Sequence, residues 1–179
     1  DILPTADSLL AGPYSITITD FNGCMISSTV TVSDTAGPTA NILTIMPASC
    51  PGENDGQVTV SVTDGIPPYS YSWNTSPIQT NATATGLFAN TFTVNVTDAF
   101  GCITTASGTV TEPQNLSSSI TTTDLSCHNA CDGLATVSVQ GGTGSYTYQW
   151  DDPGLQTNQT ATGLCADTIT VLITDGNGC

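Results

Sequence analysis

Apolar residues along this chain alternate with Ser and Thr rather than recurring every third or fourth position. "VTVSV" sets Val58, Val60 and Val62 on one face, and "FTVNV" does the same with Phe92, Val94 and Val96. A period of two marks a half-buried strand, because successive side chains of an extended chain point to opposite sides. No segment has helical periodicity. The pattern predicts strands over 40–46, 57–63, 69–73, 82–85, 91–97 and 103–110, and again over 117–123, 134–140, 146–150, 161–163 and 168–174. Turn residues punctuate them: Asp55-Gly56, Pro67-Pro68, Gly141-Gly142 and Asn177-Gly178.

The pattern repeats. An offset of 77 carries Asp55-Gly56 onto Asp132-Gly133, and Tyr69, Tyr71 and Trp73 onto Tyr146, Tyr148 and Trp150. The same offset carries Asn81 onto Asn158, Gly86-Leu87 onto Gly163-Leu164, Asp98 onto Asp175, and Gly101-Cys102 onto Gly178-Cys179. An offset of 78 matches "GPYSITITDFNGC" (12–24) with "NTFTVNVTDAFGC" (90–102). The chain therefore divides into residues 1–37, the tail of one repeat; 38–113, a full second repeat; and 114–179, a third that lacks its last strand. It reads as a piece of a longer tandem array.

About seven short strands per repeat, with a Trp on the third, predict an all-β fold: immunoglobulin-like sandwiches of about 77 residues strung into an extended rod. Tyr69, Tyr71 and Trp73 share one strand face, as do Tyr146, Tyr148 and Trp150. Both sets are expected to anchor a core, because aromatic area dominates a small one.

Composition narrows the function. The chain has 15 acids, one His and no Lys or Arg, for a formal charge of −15. Nucleic acid is an unsuitable partner, since phosphate counterions must be displaced by cations. Anionic membrane surfaces attract basic segments, not acidic ones, and no apolar run could span a bilayer. Stability must come from burial, backbone ladders and covalent links. Trypsin-like proteases also find no cleavage site. Seven cysteines in a small-domain chain point to an oxidising compartment.

The combination "DG…VSV…GG…SYTYQW…TGLCADTITVLITDGNGC" resembles the SprB repeat of Bacteroidota cell-surface proteins. The third repeat departs from that pattern with Gly144-Ser145 where the second has Pro67-Pro68. The resemblance implies a long, type IX-secreted surface adhesin of the gliding-motility kind. The expected role is then a structural stalk segment of an extracellular filament. Its partners would be neighbouring repeats, other copies in a filament, or surface glycans and polysaccharide. The alternative is a repeat that itself binds carbohydrate through exposed aromatics, on a secreted protein or hydrolase.

Sandwich topology suggests how the cysteines pair. Cys131 and Cys165 fall in loops at the same end of a repeat, and the second repeat lacks both, with Asn54 and Phe88 in those columns. A Cys131–Cys165 bridge is expected. Cys50 and Cys127 lie at that end too, whereas Cys24, Cys102 and Cys179 lie at the other, more than about 20 Å away at about 3.3 Å per strand residue. A disulfide needs Cα atoms within about 7 Å. Head-to-tail stacking favours Cys50–Cys179 across a junction, leaving Cys24, Cys102 and Cys127 for repeats beyond the fragment. Cys50–Cys102 with Cys127–Cys179 is the competing assignment.

Other chemistry has less support. Cys127, His128 and Cys131 could be half of a zinc site, but no second cluster completes the four ligands. Asp20, Asp98 and Asp175 recur before each Gly-Cys and are read as turn caps, with Asp98 and Asp175 as weaker calcium candidates. No cofactor is otherwise expected. Asp151-Asp152 is read as an exposed turn with side chains pointing apart, and no catalytic residues are assigned. Asp7-Ser8-Leu9, Asp34-Thr35-Ala36 and Asp167-Thr168-Ile169 resemble the O-glycosylation motif of Bacteroidota, making Ser8, Thr35 and Thr168 candidate glycan sites.

Overall fold

The structure, a computed structural model, describes residues 5–179, which hold thirteen strands and no helix. The first predicted unit begins in residues 1–4, outside the described residues. Its described part is a hairpin, β1 (Gly12–Thr19) with β2 (Met25–Val32), paired antiparallel over its whole length.

The second unit is complete. It comprises β3 (Thr39–Met46), β4 (Gly56–Thr63), β5 (Ser70–Trp73), β6 (Thr83–Leu87), β7 (Asn90–Thr97) and β8 (Ile103–Val110). Two three-stranded antiparallel sheets, β3-β4-β6 and β5-β7-β8, face each other. Their inward residues form the core: Val58 and Val60 from β4, Ala84 and Leu87 from β6, Trp73 from β5, Val94 and Val96 from β7, and Val110 from β8. Alternation in the sequence thus became alternation in space.

The third unit repeats the plan with β9 (Ser117–Thr123), β10 (Gly133–Gln140), β11 (Thr147–Trp150), β12 (Thr160–Leu164) and β13 (Val171–Thr174). Its sheets are β12-β10-β9 and β11-β13. Trp150 and Val137 are its most buried large side chains.

Two expectations need correction. The second unit has six strands, not about seven. The segment between β5 and β6 forms a loop, and Gln79 there already meets the backbone bonds that another strand would have supplied. The strand predicted over 168–174 begins only at Val171. In the second unit β5 pairs with 94–97 of β7, whereas 90–93 pair with β8 alone. The third unit has no counterpart of β8 among the described residues, so the matching stretch has no ladder partner. The two units also differ ahead of the columns matched by the offset of 77, where β3 carries a bulge at Leu43 that β9 lacks. Ile42 pairs with Val60, and Ile120 takes the corresponding place opposite Val137.

Candidate functional site

The Tyr-x-Tyr-x-Trp strands are interior supports. Trp73 and Trp150 are each 1 % exposed. Each indole N–H finds a partner, Nε1 donating to the carbonyl of Asn81 or Asn158 at 2.8 Å. A buried indole needs such an acceptor, and the matched Asn81 and Asn158 columns are where the backbone provides it. The tyrosines are half-buried. Tyr69, Tyr71 and Tyr148 pack against the cores. The Tyr146 hydroxyl pins a turn by donating to the carbonyl of Gly141, and Tyr146 is not among the residues packed on the third unit's core. Tyr69 does the same to the carbonyl of Asp64 at 2.6 Å. With the indoles inside, these rings form no solvent-facing stripe.

A second device has no counterpart among the sequence-based expectations. The side-chain amide of Gln79 acts as a short piece of strand: Nε2 donates to the carbonyl of Thr85 at 2.8 Å, and Oε1 accepts its N–H at 2.9 Å. Gln156 holds Thr162 the same way, at 2.9 and 3.0 Å. Each Gln carbonyl also accepts the backbone N–H of the Trp, closing the loop between the sheets. The identical offset between the two glutamines was the available signal.

Asp151 and Asp152 point apart, but the expectation of an exposed turn fails for Asp152, which is 4 % exposed. Its carboxylate accepts the backbone N–H groups of Gly154 and Gln156 and the side chain of Gln156. Asp151 accepts the N–H and hydroxyl of Thr170. In the second unit uncharged Asn74 and Thr75 do the same for Thr93 and Gln79. Neutral residues serve equally in these columns, so the carboxylates act as structural acceptors.

The recurring Asp before Gly-Cys is a clamp. Asp98 Oδ1 accepts from the N–H of Phe100 and of Cys102, both at 2.9 Å, and Oδ2 accepts from the N–H of Ile66 at 3.1 Å. Asp175 Oδ1 accepts from Asn177 and Cys179, and Oδ2 from the N–H and hydroxyl of Thr143. One carboxylate thus shapes the β7–β8 turn and ties it to the β4–β5 turn. Burial pushes these acids up, yet the convergent N–H groups outweigh it and hold both below the ordinary carboxylate value. Asp20 makes the turn contacts alone, to Asn22 and Cys24.

Two disulfides cross the frame. Cys131 is bonded to Cys165, joining the β9–β10 and β12–β13 loops with Cα atoms 4.0 Å apart. Cys50 is bonded to Cys179, joining the β3–β4 loop of the second unit to the last turn of the third, with Cα atoms 5.7 Å apart. Cys24, Cys102 and Cys127 are free and exposed.

The same junction is held by hydrogen bonds. Ala48 N–H donates to the carbonyl of Thr111, and Gly52 N–H donates to Glu112 Oε2 at 2.7 Å. At the other end of the linker, Gly142 N–H donates to the carbonyl of Gln114. Asn177 Nδ2 reaches across to the carbonyl of Ser49 at 2.8 Å.

The remaining candidates are dispersed. Among the described residues no three His, Cys, Asp or Glu side chains are grouped to hold a metal ion. His128 is exposed, in the loop with Cys127 and Cys131. Ser8, Thr35 and Thr168 are all exposed and lie outside the strands.

No curated protein matches the chain. The SprB repeat pattern matches residues 42–77 and 119–155, which is one stretch in each of the two units built around a buried Trp. These stretches run from the first strand of each sandwich past the Trp strand. The chain thus carries two SprB repeats, one in each of these units.

Proposed function

We propose that this chain is a stalk segment of a long extracellular surface adhesin, in which sandwich units are coupled end to end into a stiff filament. The observation that carries the reading is the Cys50–Cys179 bond between successive units. A linker alone leaves two domains free to bend. A covalent bridge beside a linker makes two connections, and two separated connections resist bending.

The composition supports the same role. With no Lys or Arg, neither side chain can pair with an acid to staple a unit, and trypsin-like proteases have no site. Disulfides take up the stapling, which requires an oxidising, extracytoplasmic setting. The buried indoles argue against carbohydrate binding by the aromatic strand, and no catalytic role is assigned to the chain. Other copies of the filament and surface polysaccharide are its proposed partners, attachment and gliding its proposed use. Ser8, Thr35 and Thr168 are its proposed glycan sites.

Intact cells of the producing organism provide the test. Antibodies to the second unit should label the outside of unpermeabilised cells, and electron microscopy of shed material should show thin rods. Labelling only after permeabilisation, or compact particles in place of rods, would refute the stalk.

A further inference from the structure

One outer strand is the same in both sandwiches. β6 and β12 each read Thr-Ala-Thr-Gly-Leu, and each lies at the edge of its sheet, beside β4 or β10. An edge strand presents unpaired N–H and C=O groups to any other chain, and proteins commonly defend it with lysine. This chain has no lysine, and among the described residues no strand contains a charged side chain. Identical uncharged edges in tandem units invite mispairing, a characteristic failure of repeat proteins.

A bulge turns part of each edge aside. The register with β4 shifts between Ala84 and Leu87, and that with β10 between Thr162 and Leu164; Gly86 and Gly163 both take φ +68° there. The threonine before each glycine is held by a glutamine instead. Gln79 takes both the N–H and the carbonyl of Thr85, and Gln156 takes both from Thr162. Two facing residues of an antiparallel ladder exchange both N–H···O bonds in this same way. Each side-chain amide therefore occupies the place of one residue of an added strand. Next to each glutamine in sequence stands an exposed apolar side chain, Ile78 or Leu155, which would make an opened edge adhesive.

We propose that Gln79 and Gln156 guard these edges: without the amide, β6 or β12 pairs antiparallel with the same strand of a second copy of the chain, threonine facing threonine. A twofold axis beside Thr85 gives each copy the two bonds that Gln79 now supplies. The uncharged edge sets no like charges against each other to oppose the pairing.

The full chain, with Cys24, Cys102 and Cys127 alkylated without reduction, can be compared with its Gln79→Ala, Gln156→Ala variant by sedimentation and hydrogen exchange. The parent chain should stay monomeric. The dilute variant should exchange about tenfold faster at Thr85 and Thr162, the effect of two lost hydrogen bonds at each. As its concentration rises it should associate, and exchange at those two residues should slow again. Adding Thr85→Lys and Thr162→Lys sets like charges opposite each other in the pair and should return the variant to monomer. Trp73→Phe, which weakens the fold with the clamp intact, should not associate. A variant that stays monomeric, association without renewed protection at Thr85 and Thr162, or association that survives the lysines would overturn the proposal. So would equal association of the parent chain or of Trp73→Phe.

Discussion

Asn177 Nδ2 lies 2.8 Å from the carbonyl oxygen of Ser49, a hydrogen bond between residues of different sandwiches, beside the disulfide that joins Cys50 to Cys179. Polar and covalent contacts at one spot fix orientation as well as distance. The equivalent columns in the other turns hold Asn22 and Phe100, and Phe100 has no side-chain donor. The second and third units are expected to tumble as one body. Residual dipolar couplings from both should fit one alignment tensor when oxidised and need two after Cys50→Ser.

Removing the internal bridge should weaken one unit only. Cys131 and Cys165 are 34 residues apart. Closing such a loop stabilises a fold by about 3–4 kcal/mol in the chain-entropy treatment. The double change Cys131→Ser, Cys165→Ser should lower the unfolding free energy of the third unit by that order in urea melts and leave the second unit's transition in place.

The buried indole gives a graded series. Trp73→Ala should cost about 3–5 kcal/mol through the cavity it leaves. Trp73→Phe keeps most of the apolar burial but strips the carbonyl of Asn81 of its donor, at about 1–3 kcal/mol. Denaturant melts of the two variants separate packing from hydrogen bonding.

Gln79→Ala should release the Thr85 backbone on both sides, for about 1–2 kcal/mol over two exposed bonds. Hydrogen exchange should accelerate at Thr85. A change confined to the loop would show that the amide does not hold β6.

Acid should loosen the turns. Asp98 and Asp175 sit below the ordinary value of 3.8 when folded. A depressed folded pKa contributes stability that is complete above the unfolded value and lost as pH falls through the folded one. Stability should therefore hold from neutral pH to about 4 and decline below it. Protonation also relieves repulsion among the acids, an opposing effect that physiological salt screens. Asp98→Asn places an N–H donor beside the N–H of Ile66 or those of the turn. It should destabilise the second unit at pH 7 and flatten its acid dependence.

Local patterns made much of this fold legible. The valine alternation of β4 and β7 lies wholly within its own segment, and so does the Trp strand. The matched columns revealed the repeat because both units solve the same packing problem. The length of β13 was not legible, because pairing at 168–170 depends on a strand in another segment. The bulge at Leu43 shifts register in space without disturbing composition. The glutamine clamp looked like an ordinary polar loop residue, since its meaning lies in which backbone it faces. The burial of Asp152 was hidden too, because neighbouring acids usually read as solvated.

The junction bond is tested most directly by peptide mapping without reduction, using pepsin at low pH. Pepsin needs no basic residue, and acid suppresses thiol–disulfide exchange, so the bridges are not shuffled during digestion. Peptides joining Cys50 to Cys179 and Cys131 to Cys165 are the predicted result. Recovery of Cys50 joined to Cys102, with Cys127 joined to Cys179, would confine each bridge to its own unit and contradict the coupled stalk.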